Sequence, residues 1–151
     1  MQVKKVIIAS DHAGCSLKEH LITHLEKQGY TVYNYGTNDP NVAVDYPKKA
    51  FYVAKALYRY EAPFAILICG TGIGMSIAVN RYDFIRGALA CSPETARLAR
   101  QHNNANVLIL GGRVTDVETA KQCADLFLTT PFEGGRHTAR VNQLEKMPHD
   151  F

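Results

Sequence analysis

A chain of 151 residues is long enough for one domain with a buried core, and 46% hydrophobic with 21% charged residues is the balance of a soluble globular protein. The formal net charge of +3 is too small, and the basic residues too evenly spread, to point to nucleic acid or a membrane surface. No apolar run nears the roughly 20 residues that span a bilayer, and a strand beginning within a few residues of Met1 predicts no secretory leader.

Lys5–Ser10 is a short apolar, β-branched run and predicts the first strand. Leu17, Leu21, Ile22 and Leu25 then share one helical face, which Gly29 closes. Tyr30–Tyr35 predicts a second strand, and a polar loop with the turn Asn38-Asp39-Pro40-Asn41 follows. Pro47 suits the first turn of a helix carrying Ala50, Val53, Ala54 and Leu57. Phe64–Cys69 predicts the third strand, which runs into Gly70-Thr71-Gly72-Ile73-Gly74 and a helix extending to Tyr82. Ile85–Cys91 predicts the fourth strand, and Ser92-Pro93-Glu94 starts a helix reaching Gln101. Asn106–Leu110 predicts the fifth strand. Thr115-Asp116-Val117-Glu118 reads as a capping box before Ala120, Cys123, Ala124 and Phe127. Gly134-Gly135 breaks the chain before a last helix with Arg136, Arg140, Val141 and Leu144.

Five strands alternating with helices predict an α/β fold, a Rossmann-like three-layer α/β/α sandwich around a five-stranded parallel sheet, as a single domain over residues 1–151. In such sheets ligands bind beyond the carboxyl ends of the strands. If the first and third strands are neighbours, Asp11-His12 and Cys69-Gly70-Thr71 meet there.

The four cysteines, at positions 15, 69, 91 and 123, form no CxxC pair and no metal-like cluster with histidine. They predict free thiols in a reducing cytoplasm. Cys69 and Cys91 end apolar strands, Cys123 lies on an apolar helical face, and Cys15, Cys91 and Cys123 read as core or filler. Cys69 stands apart because three glycines follow it in alternation. A cysteine at the end of a buried strand also serves as a small apolar core residue. Three glycines in five residues, however, let something approach the backbone closely. A helix start behind them favours anions, and a thiol in such surroundings titrates low. The spacing is GxGxG and lacks the Lys-Ser/Thr ending of a P-loop, so it does not support nucleotide binding.

Asp11-His12 is either a helix cap with a surface imidazole or a ligand contact at the sheet edge. His102 at a helix end suits the dipole, and it also suits proton transfer near neutral pH. Arg136 and Arg140, one turn apart, form either a solvated basic face or two forks on a phosphate. Arg113, after Gly111-Gly112, can add a third cation.

The pieces Ser10-Asp11-His12-Ala13-Gly14, Gly36-Thr37, Val44-Asp45-Tyr46-Pro47, Cys69-Gly70-Thr71-Gly72-Ile73-Gly74-Met75-Ser76, Arg100-Gln101-His102-Asn103, Gly111-Gly112-Arg113-Val114 and Glu133-Gly134-Gly135-Arg136-His137 match a known family. The chain resembles the type B ribose-5-phosphate isomerases, a group that includes galactose-6-phosphate and allose-6-phosphate isomerases. The resemblance covers essentially the whole chain. It implies an aldose–ketose isomerase that interconverts D-ribose 5-phosphate and D-ribulose 5-phosphate with no metal and no organic cofactor.

By the same resemblance, Cys69 moves the proton between C2 and C1. One branch of the family has a glutamate where this chain has Met75, and no cysteine at the strand end, so this chain looks like the thiol branch. His102 is implied to open the furanose ring with help from Thr71. Asp11 and Asn103 are implied to hold sugar hydroxyls, and His12, Arg113, Arg136 and Arg140 the phosphate. Tyr46, Gly70, Gly72, Gly74 and Ser76 are implied to line the substrate pocket. The family's site is composite, which implies a homodimer or dimer of dimers with the last helix at the dimer interface. Neither nucleic acid nor a membrane is expected as a partner. A six-carbon sugar phosphate as substrate, and a non-catalytic sugar-phosphate sensor, are the alternatives.

Overall fold

The computed structural model describes residues 4–145. Apolar, β-branched runs form five strands: β1 Lys5–Ser10, β2 Thr31–Asn34, β3 Phe64–Cys69, β4 Gly87–Leu89 and β5 Val107–Gly111. They alternate with α1 Cys15–Lys27, α2 Tyr46–Tyr58, α3 Ile73–Val79, α4 Pro93–Asn103 and α5 Val117–Thr129, and α6 Arg136–Leu144 closes the described chain. Every strand pairing is parallel, in the order β2-β1-β3-β5-β4. β1 and β3 are therefore neighbours, with Ser10 in register with Ile68. Among the described residues no helix is long and apolar enough to cross a membrane.

The core splits into two halves by strand alternation. Val6, Ile8, Ile66, Ile68, Leu108 and Leu110 pack on one face with residues of α1, α4 and α5. Ile7, Ala9, Ala65, Leu67, Cys69, Val107 and Ile109 pack on the other with residues of α2 and α3. Side chains that point alternately to opposite faces, both apolar, produce this three-layer arrangement. Cys69 belongs to the α2/α3 face.

Some boundaries differ from the sequence reading. The helix expected to reach Tyr82 ends at Val79, because Asn80 turns the chain. The Asn80 side chain donates to the carbonyls of Ser76 and Gly87 and accepts from the Gly87 amide, tying the end of α3 to β4. The strand expected over Ile85–Cys91 is a short edge strand, so Cys91 is exposed and is not a core residue. α4 runs past Gln101 to Asn103, and Asn104 caps it in a left-handed conformation with φ 47°. The cap of α5 is Asp116, one residue later than the box beginning at Thr115: its carboxylate accepts from the Thr119 amide at 2.9 Å.

Candidate active site

Two groups of polar residues emerge, each built by a different set of elements. The first lies at the carboxyl ends of β1, β3 and β5. Cys69 is the last residue of β3 and is 5% exposed. Gly72 adopts φ 83°, a left-handed conformation that glycine takes without cost, and turns the loop into α3. α3 has only seven residues, so the anion-favouring helix end expected from the sequence reduces to the loop's own amides. Thr71 is exposed, and its hydroxyl accepts from the Ile73 amide at 3.3 Å. Ser76 is half-buried on α3.

Residues from other strands close over this loop. The Gly112 amide donates to the Cys69 carbonyl at 2.8 Å, and the Arg113 amide to the Gly70 carbonyl at 2.9 Å. The Arg113 side chain lies across Gly70, where an added Cβ would sit 3.2 Å from Nη1. The ring of Tyr46 rests on Gly74, where an added Cβ would sit 2.9 Å from Cζ. The glycines thus let an aromatic ring and a guanidinium approach the thiol loop. Asp11 is buried and does cap: its Oδ1 accepts from the Gly14 amide at 3.1 Å. The same residue sits at the sheet edge, its amide donating to the Ile68 carbonyl. His12 is half-buried, and its Nδ1 accepts from the Val44 amide at 3.3 Å. That bond places the neutral ring's proton on Nε2.

The second group lies at the ends of α4 and α6. Arg100 anchors it. Its guanidinium is buried over the ring of Phe64, 4.6 Å from the centroid, and donates to Asn104 Oδ1 and to the carbonyls of Thr130 and Ala105. The Glu133 amide donates to the Gln101 carbonyl at 3.0 Å and brings the segment before α6 against α4. His102 and His137 then stack, with ring centroids 4.3 Å apart and planes 15° from parallel. Glu133 reaches both rings, with carboxylate oxygens 3.9 Å from each Nε2. A cavity of about 320 Å³ opens beside them, lined by His102, Asn103, His137, Arg140, Val141 and Leu144. A larger cavity of about 500 Å³, flanking β4, takes in Asn103 but none of the thiol-loop residues.

His137 and Glu133 were not among the expected site residues. Their only sequence signal was the piece Glu133-Gly134-Gly135-Arg136-His137, in which His137 follows Arg136 and Glu133 lies three residues before it. Burial, the neighbouring His102 and then Arg136 push the His137 imidazole below its ordinary value. His102, Glu133 and His137 are also ligand-type side chains whose donor atoms lie within 4.8 Å of one another, although no metal site was expected from the sequence. Arg136 Nε donates to His137 Nε2 at 3.4 Å, which occupies the lone pair a metal would use. With exposed Arg136 and Arg140 beside it, the group suits an anion better than a cation.

The two groups do not meet within one chain. Cys69 ends β3 at the carboxyl edge of the sheet. α4 starts at that edge and runs back along its length, about 16 Å for 11 residues, so His102 and Asn103 end at the opposite edge. Asn106, just beyond, bonds the amide of Ala65 near the start of β3. Arg136 and Arg140 follow α5, which makes the same return. Asp11, His12, Tyr46, Cys69, Gly70, Gly74 and Arg113 thus gather at one edge, and His102, Asn103, Arg136 and Arg140 at the other.

Comparison with known proteins adds the chemical context. The sequence model of the family described as Ribose/Galactose Isomerase matches residues 6–144. Ribose-5-phosphate isomerase B of Escherichia coli is 42% identical over 142 residues, covering 94% of this chain and 95% of that protein. A solved ribose 5-phosphate isomerase from Thermotoga maritima superposes with a TM-score of 0.93 at 48% identity, covering 97% of this chain and all of that one. Ribose-5-phosphate isomerase B of Mycoplasma genitalium, solved with bound ribulose-5-phosphate, gives 0.90 at 39% identity over 97% of each chain.

Proposed function

This chain belongs to the ribose/galactose isomerase family, and from that premise we propose that it is an aldose–ketose isomerase interconverting D-ribose 5-phosphate and D-ribulose 5-phosphate. The observation that carries the reading is Cys69 at the end of the central strand, beside a glycine loop on which Tyr46 and Arg113 rest.

The reaction needs a base on carbon, a handler of oxygen protons and donors for an enediolate. His102, assisted by Thr71, manages the proton of ring opening. The Cys69 thiolate removes the proton from C2. The C2–H electron pair forms the C1–C2 double bond, and charge moves onto O1. Amides of residues 70–74 donate to that oxygen. The thiol, its proton exchanged with solvent, protonates C1 while the O2 proton passes to O1, which leaves the ketose. Asp11 and Asn103 hold sugar hydroxyls. Arg113, Arg136, Arg140 and the Nε2–H of His12 hold the phosphate, so remote binding energy orients the reacting carbons.

Because His102 and the two last arginines lie at the far edge of the sheet, the reading requires a second copy of the chain to complete each site. Exposed apolar side chains around the thiol loop support such a contact: Ile73 and Ile77 on α3, Leu89 and Val114. The site residues and the homodimer stand or fall with this reading.

The test is turnover of ribose 5-phosphate in the presence of a chelator and in D2O. Ribulose 5-phosphate carrying deuterium at C1 is expected. A chain that binds the sugar phosphate without exchanging deuterium would be a sensor. Turnover of allose or galactose 6-phosphate alone would move the substrate to a six-carbon sugar.

A further inference from the structure

Lys18 is among the largest fully buried side chains of the described residues, yet it carries an ammonium. Burying a charge is expensive unless it is paired and hydrogen-bonded. An ammonium has three donors, and Lys18 Nζ finds three oxygens: Asn38 Oδ1 at 2.8 Å, Glu19 Oε1 at 2.9 Å and Asn34 Oδ1 at 3.2 Å. Glu19 is its exposed neighbour on α1. Asn34 and Asn38 flank the start of the loop between β2 and α2.

That loop is knitted tightly where Lys18 holds it. Asn34 Nδ2 donates to Asn38 Oδ1, and the Gly36 amide donates to Asn34 Oδ1. Gly36 is wedged between α1 and β1, where an added Cβ would lie 2.5 Å from the Ser10 amide nitrogen and 2.9 Å from Lys18 Cδ. The Thr37 amide donates to the Ser10 carbonyl at 3.3 Å. The far half of the same loop does different work. Its Val44 amide sets the ring of His12, and it delivers Tyr46 onto Gly74.

We propose that Lys18 is a positioning residue, whose buried clasp on Asn34 and Asn38 fixes the loop that orients His12 and Tyr46 toward the substrate. It touches no substrate itself. Its ammonium holds the near half of the loop, and the far half holds two groups of the substrate pocket. This role rests on the isomerase reading above, because only that reading makes His12 and Tyr46 substrate contacts.

The experiment compares wild type, Lys18→Met and Asn38→Ala. Lys18→Met keeps the stem and removes the ammonium. Asn38→Ala removes one acceptor at an exposed position and so keeps the test alive if the first variant does not fold. Wild-type turnover of ribose 5-phosphate is measured first, and its absence would defeat the isomerase reading and not the clasp. The ring nitrogens of His12 are then followed by 15N NMR in each protein, a measurement independent of turnover. In wild type the neutral ring is expected as the Nε2–H form. In the variants a mixture of tautomers is expected, with KM for ribose 5-phosphate raised about fivefold or more and kcat changed less than about twofold. Folded variants that keep the single tautomer and the wild-type KM, whatever their melting temperature, would overturn the proposal.

Discussion

At Cys69 a small, nearly buried sulfur ends the middle strand of the sheet, and the proposed chemistry needs its anion. An alcohol in the same place is a far weaker base. Cys69→Ser should fold with a melting temperature close to wild type and lose about 10²- to 10⁴-fold in kcat, as expected for removal of a proton-transfer group. Steady-state kinetics beside a thermal melt check this, and near-normal turnover would remove the thiol from the mechanism. His137 makes a second residue-scale argument. Burial, then His102 and Arg136, hold its imidazole below the ordinary value of 6.5, so folding favours the neutral ring. The stability tied to that ring is complete above pH 6.5 and is lost as pH falls below it, since the unfolded chain then binds the proton more readily. An NMR titration should place the His137 midpoint under 6.5, and Arg136→Ala should raise it.

Among the elements, the turn from β3 into α3 does the most with the fewest atoms. Gly74→Ala would place a methyl 2.9 Å from Tyr46 Cζ, closer than real carbons approach. The obstacle is the end of a side chain that is 39% exposed, so the ring can swing away at little cost to the fold. KM for the sugar phosphate should rise about three- to tenfold while the melting temperature barely moves. A large loss of stability would instead mean that Tyr46 is a packing residue. Strand and helix positions were readable because apolar runs and helical faces are local signals. The boundaries that moved depend on distant partners: α3 stops where Asn80 reaches Gly87, and β4 is an edge strand held by β5 alone, over Gly87–Leu89 only. The same physics governs the site. Asp11, Cys69 and the glycines stood out because motif and strand end coincide in the chain. The Lys18 clasp and the His102–His137 stack did not, because their partners lie 16 to 35 residues away and nothing local marks them.

For the whole molecule, the decisive fact is that the sheet separates Cys69, the proposed base, from His102, the proposed ring-opening residue. One chain holding Cys69 at the carboxyl edge and His102 at the other cannot bring both to one sugar, whereas two chains related by a twofold axis can. Complementation tests this directly. Cys69→Ser and His102→Gln should each be inactive alone. Unfolded together in equal amounts and refolded, half of the dimers would be mixed. Each mixed dimer would carry one site with both defects and one with neither. Activity of about a quarter of the wild-type value should therefore return. Mass spectrometry of the intact dimers verifies that mixing occurred. If mixed dimers form and remain inactive, each chain builds its site from its own residues, and the pairing of the thiol loop with His102 across two subunits is wrong.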